Sequence, residues 1–131
     1  MNFGQEKIAD QFLLVAVVDD DESVRESLPD LLKELGFAAI AFSSAEEFLC
    51  SACLCQTRCL ILDIAMPGMN GLELQQELKV RGNRIPIIFI SALKEEDVRE
   101  LALEEGAAEF LLKPFSDTAL LQALNTALQV T

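Results

Sequence analysis

Five short apolar runs, rich in Val, Ile, Leu, Ala and Phe, recur along the chain, and each is followed by a stretch of helical periodicity. The runs are Leu13–Val18, Ala38–Phe42, Cys59–Leu62, Pro86–Ile90 and Glu109–Leu112; the helical stretches are Glu22–Leu35, Ala45–Leu54, Gly71–Val80, Glu95–Glu104 and Asp117–Leu128. Near-continuous apolar strands belong to a parallel sheet covered on both faces, because βα crossovers place helices on each side. Five such units predict a doubly wound α/β domain, of the flavodoxin-like (βα)5 type, with strand order 2-1-3-4-5. Ligands in such sheets bind at the carboxyl ends of the strands, beside the switch point between the first and third strands.

Punctuation agrees with these boundaries. Gly36 and Gly106 stand where helix C-caps are expected, and Ser44 can cap the second helix, with Glu47 three residues on. Pro29 falls inside the first helix, where it removes a backbone hydrogen bond and predicts a kink or a late start. With 131 residues the chain is expected to form one domain at 13–131, preceded by an N-terminal extension at 1–12.

Composition excludes several functions. A formal net charge of −12 argues against nucleic-acid or anionic-membrane binding by this segment. No apolar run reaches membrane-spanning length and no leader pattern opens the chain, so a cytoplasmic location is expected. The absence of histidine removes histidine acid–base, phosphocarrier and metal chemistry. Cys50, Cys53, Cys55 and Cys59 have a C-x2-C-x-C-x3-C spacing. They straddle a helix end and the next strand, which predicts small apolar packing and incidental thiols rather than a metal site.

The strand ends carry the chemistry. The first strand runs into Asp19, Asp20, Asp21 and Glu22; the third ends in Asp63, the fourth in Ser91 and the fifth in Lys113. Like charges about 4 Å apart repel by roughly 4 kcal/mol at an effective dielectric near 20. Such a knot needs solvent, a cation, or diverging side chains. Asp21 and Glu22 are expected to open the first helix, where the helix dipole favours anions. A carboxylate can attack a phosphoryl group and become an acyl phosphate, and a hard divalent cation such as Mg²⁺ would neutralise the charge that gathers there. Lys113 offers a point charge for a phosphoryl oxygen.

With "DIAMPGMNG" and "LLKPF", these residues make the sequence similar to a response-regulator receiver domain of two-component signalling, from about Leu13 to Leu128. The resemblance implies that Asp63 is the phospho-acceptor. It implies that Asp20 and Asp63 bind Mg²⁺ directly, that Asp19 acts through water, and that the Ala65 backbone carbonyl is a further ligand. It implies a cis Lys113–Pro114 bond, a switch hydroxyl at Ser91 and a switch aromatic at Phe110 that rotates inward from solvent. Ala65 and Leu93 flank the path of a hydrolytic water in relatives; neither side chain can hydrogen-bond water, which predicts slow self-dephosphorylation. The donor is then a sensor histidine kinase or a small molecule such as acetyl phosphate, and the domain is a signalling module rather than an enzyme. Homodimerisation through the fourth helix, fifth strand and fifth helix is common in that family. The wording "VVDDDESVRESL" and "FSSAEEFL" resembles regulators with a LuxR-type helix-turn-helix output. Two alternatives stand beside this reading: a Mg²⁺-dependent enzyme of the haloacid-dehalogenase phosphatase or toprim nuclease kind, and a pseudo-receiver that works without phosphorylation. The contiguous acids speak against the D-x-D spacing of the phosphatases, and the complete acidic set speaks against a pseudo-receiver.

Overall fold

The computed structural model describes residues 13–92 and 96–129. The strands are β1 (Leu14–Val18), β2 (Ala38–Phe42), β3 (Thr57–Asp63), β4 (Ile87–Ser91) and β5 (Glu109–Leu112). The helices are α1 (Glu22–Glu34), α2 (Ala45–Leu49), α3 (Gly71–Val80), α4 (Glu96–Glu104) and α5 (Asp117–Ala127), with a short 3-10 turn at Leu54–Gln56. The strands form one sheet in the order β2-β1-β3-β4-β5, and every neighbouring pair is parallel. This is the predicted doubly wound, flavodoxin-like arrangement. The anticipated 1–12 extension and Leu93 lie outside the described residues.

Alternation along each strand divides the core in two. Ala16, Val18, Leu60, Leu62 and Phe89 face one way, against Phe48 of α2, Leu74 and Leu78 of α3 and Ala102 of α4. Val15, Val17, Ile61, Ile88 and Ile90 face the other way, against Leu28 and Leu32 of α1 and Leu120 and Leu124 of α5. Both faces of the central strands are therefore apolar, so polar residues can enter only where a strand ends.

The structure removes one of the two alternatives for α1 and shortens α2. Helix α1 starts at Glu22 and runs through Pro29 to Glu34, so there is no late start. An interior proline costs about 3 kcal/mol or more. Burial of Leu28 and Leu32 on either side of it contributes roughly 1.5–3 kcal/mol each, enough to offset that cost. The N-cap Asp21, whose side chain accepts the Ser23 N–H at 2.9 Å, fixes the start.

Helix α2 ends at Leu49, five residues before the expected Leu54. Ser51 Oγ accepts the Cys53 N–H at 2.8 Å, and the chain turns into the 3-10 segment instead of continuing the helix. This is the local competition between a serine side chain and helical hydrogen bonding. Thr57 Oγ1 then donates to the Cys53 carbonyl at 2.8 Å and sets the early start of β3.

Candidate functional site

The site lies where β1, β3, β4 and β5 end. Asp19 follows β1 and is fully buried, because its N–H still reaches the β2 carbonyl of Phe42 at 3.1 Å and keeps the chain in line with the sheet. Asp20 is exposed. Asp21 turns away to cap α1 and holds its own carboxyl below the usual range through hydrogen bonds from the Ser23 hydroxyl and N–H. Asp63 closes β3 and is buried, and Ser91 closes β4 and is buried. The Lys113 N–H donates to the Ser91 carbonyl at 2.8 Å, which brings the lysine to the same crevice. The Lys113–Pro114 peptide is cis.

Asp19, Asp20 and Asp63 each present an oxygen within 4.8 Å of the others. Lys113 Nζ donates to Asp19 Oδ2 at 2.9 Å and sits 3.6 Å from Asp63 Oδ1. Burial, then the charges of Asp19 and Asp20, push the Asp63 carboxyl up to about 6, against the opposing pull of Lys113. Burial alone would lower the Lys113 ammonium. The hydrogen bond to Asp19, together with the charges of Asp63 and Asp19, outweighs it and raises the ammonium above its ordinary value. One lysine against three carboxylates leaves an uncompensated negative pocket. Oxygen donors in that arrangement suit a hard divalent cation that retains some of its waters.

Ala65 lies exposed in the loop after β3. Phe110 is largely buried, with its ring 6.4 Å from that of Phe89. The four cysteines are free, and burial pushes the Cys59 thiol up to about 12. Among the described residues, Asp19, Asp20 and Asp63 are the one group of three or more acidic or thiol side chains spaced to hold a metal ion. None of the described helices is long and apolar enough to cross a membrane.

Three supporting residues escape the sequence reading. Arg25 Nη1 donates to the Asp19 carbonyl at 3.0 Å, tying α1 to the acidic turn. Glu46 of α2 accepts the Met69 N–H at 3.0 Å, across the loop that follows Asp63. Gly71 begins α3 with its N–H on the Ile64 carbonyl at 2.9 Å; a Cβ there would lie 2.3 Å from the Asp63 carbonyl oxygen. Only the glycine carries a sequence signal, since a glycine opening a helix marks close backbone approach. The other two act on backbone atoms six and 23 residues away, at spacings that follow no helix or strand period.

Residues 15–125 match the family model of the response regulator receiver domain. The response regulator protein TmoT of Ectopseudomonas mendocina is 40% identical over 97% of this chain and 58% of its own length. The transcriptional regulatory protein TdiR of Thauera aromatica is 43% identical over 87% of this chain and 50% of its own length. The chain thus spans about half to three fifths of these curated relatives. The solved structure of the response regulator StyR superposes with a TM-score of 0.83 at 46% identity, covering 90% of this chain and 60% of that one. That of FixJ-N superposes with a TM-score of 0.81 at 36% identity, covering 91% and 95%. The acidic crevice at the switch point of a five-stranded parallel sheet and the match over residues 15–125 agree: the chain belongs to the response regulator receiver domains, the signalling domains of two-component systems.

Proposed function

We propose that this receiver accepts a phosphoryl group on Asp63, with Mg²⁺ held by Asp20, Asp63 and the Ala65 carbonyl and with Asp19 acting through water. The convergence of Asp19, Asp20 and Asp63 around a single lysine is the observation that carries this reading. The donor is the phosphohistidine of a sensor kinase, or a small phosphodonor such as acetyl phosphate, because this chain has no histidine of its own. An apolar cleft of about 710 Å³, lined by Leu28, Leu31, Pro114 and Phe115 among others, opens beside Lys113 and gives a donor protein surface to rest on.

In the transfer, an Asp63 carboxylate oxygen attacks phosphorus as the bond to the donor breaks, which yields an acyl phosphate. Bound Mg²⁺ supplies neutralisation of phosphoryl charge. Lys113 is already within reach of both Asp19 and Asp63, and it exchanges part of that contact for a phosphoryl oxygen. The Ser91 hydroxyl then donates to the phosphoryl group and draws its loop inward. Phe110 packs inward against Phe89 before any phosphoryl group is present, so phosphorylation acts by favouring this packing in a pre-existing equilibrium. The output is control of transcription through a part of the regulator beyond this domain, as the name of the relative TdiR suggests.

Beryllofluoride, a phosphoryl mimic, tests the reading. With Mg²⁺ it is expected to shift the amide resonances of Ser91 and Phe110 in the wild type and to leave Asp63→Asn unchanged. A wild type that does not respond favours the pseudo-receiver. Steady turnover of a phosphomonoester favours the phosphatase alternative.

A further inference from the structure

We propose that Glu46 is a positioning residue for the acidic pocket: its carboxylate anchors the loop between Asp63 and α3 and thereby sets the place of the Ala65 carbonyl. The inference rests on the Mg²⁺ reading above and deepens it.

The loop leaves β3 at Asp63 and must return at Gly71, whose N–H closes it on the Ile64 carbonyl. Its far end is held by the capping box of α3, in which Asn70 Oδ1 accepts the Glu73 N–H at 2.8 Å and Glu73 Oε1 accepts the Asn70 N–H at 2.9 Å. Both constraints sit at the loop's base. In the outer part, Ala65 to Met69, the Met66 side chain is buried in the core and Met69 packs against it. The loop backbone is held in addition by the Met69 N–H on Glu46 Oε2 at 3.0 Å.

Glu46 is well placed for this. Its neighbours Ala45 and Phe48 are fully buried in the core, so the backbone of α2 is fixed. Ser44 caps the helix by accepting the Glu47 N–H at 3.0 Å, and Glu47 reaches back to the Ser43 N–H at 2.7 Å. Glu46 projects from that locked turn onto the loop. The loop meets it with Gly68, at φ +73°, where an added Cβ would come 3.0 Å from Glu46 Oε2. A glycine at that point therefore serves twice, for the left-handed turn and for the approach of the carboxylate.

Removing the anchor leaves the carboxylates of the pocket untouched and loosens the backbone of the loop that carries the proposed Ala65 ligand, while Met66 keeps its place in the core. Loss of one hydrogen bond of about 1 kcal/mol corresponds to roughly fivefold in an equilibrium constant. The test compares wild type, Glu46→Ala and Glu46→Gln in two assays. Amide exchange at Met69 in metal-free protein reads the anchor itself, and Mg²⁺ titration by calorimetry reads its consequence. Glu46→Ala is expected to speed Met69 exchange and to weaken Mg²⁺ binding, each by about fivefold. Glu46→Gln keeps a carbonyl acceptor and is expected to stay near wild type in both. Wild-type values for Glu46→Ala in either assay overturn the proposal. So does equal weakening of Mg²⁺ binding in both variants, which would make the effect one of charge rather than of anchoring. A wild type that does not bind Mg²⁺ overturns the reading beneath it, while the Met69 exchange still decides whether the anchor exists.

Discussion

Replacing Asp63 by Asn should stabilise the metal-free domain at neutral pH. The Asp63 carboxyl sits at about 6 instead of its ordinary 3.8, because burial and then the charges of Asp19 and Asp20 penalise its ionised form. As pH rises past 3.8, the unfolded chain loses this proton while the folded chain keeps it, so stability falls until pH passes about 6 and is flat above. At 1.36 kcal/mol per unit, the ceiling of the penalty at pH 7.5 is about 3 kcal/mol. Asp19, Asp20 and Lys113 share the pocket's charge, and an amide loses the attraction to Lys113, so the gain for Asp63→Asn should be about 1–3 kcal/mol. Near pH 4 the same linkage leaves roughly 0.6 kcal/mol at most. Urea unfolding in EDTA, followed by far-ultraviolet circular dichroism because the chain has no Trp or Tyr, measures both values. Excess Mg²⁺ should close much of the gap at pH 7.5 by stabilising the wild type. A variant no more stable than wild type at pH 7.5, or a gain of equal size at both pH values, would refute the argument that Asp63 is held in a destabilising negative pocket.

Other perturbations have definite outcomes. Gly71→Ala should lower stability by about 1–3 kcal/mol, read from the urea midpoint, because the new Cβ collides with backbone rather than with a flexible side chain. Ala65→Asn combined with Leu93→Glu should shorten the phosphoryl lifetime, followed by loss of the adduct over time; an unchanged lifetime contradicts the role given to these positions. Leu101, Leu112 and Leu121 are exposed on α4, β5 and α5. If the activated domain dimerises through that face, Leu112→Lys should keep the beryllofluoride-bound protein monomeric in sedimentation experiments.

The sheet and the acidic pocket were legible for one reason. An interior covered on both faces leaves apolar runs whose interruption by Asp19, Asp63, Ser91 or Lys113 marks a strand end, and strand ends in this fold converge. What the sequence hid depends on contacts with no periodic signature. Ser51 stops α2 through a bond two residues away, and Pro29 is carried by the burial of Leu28 and Leu32. Arg25 and Glu46 act on backbone atoms of residues that nothing in the local sequence joins to them.

The central claim is tested most directly by incubation with acetyl phosphate, followed by intact-protein mass measurement. The account predicts one added phosphoryl group that requires Mg²⁺, is lost with EDTA present from the start, and is absent in Asp63→Asn. No adduct on the wild type, or an adduct that persists in Asp63→Asn, would contradict it.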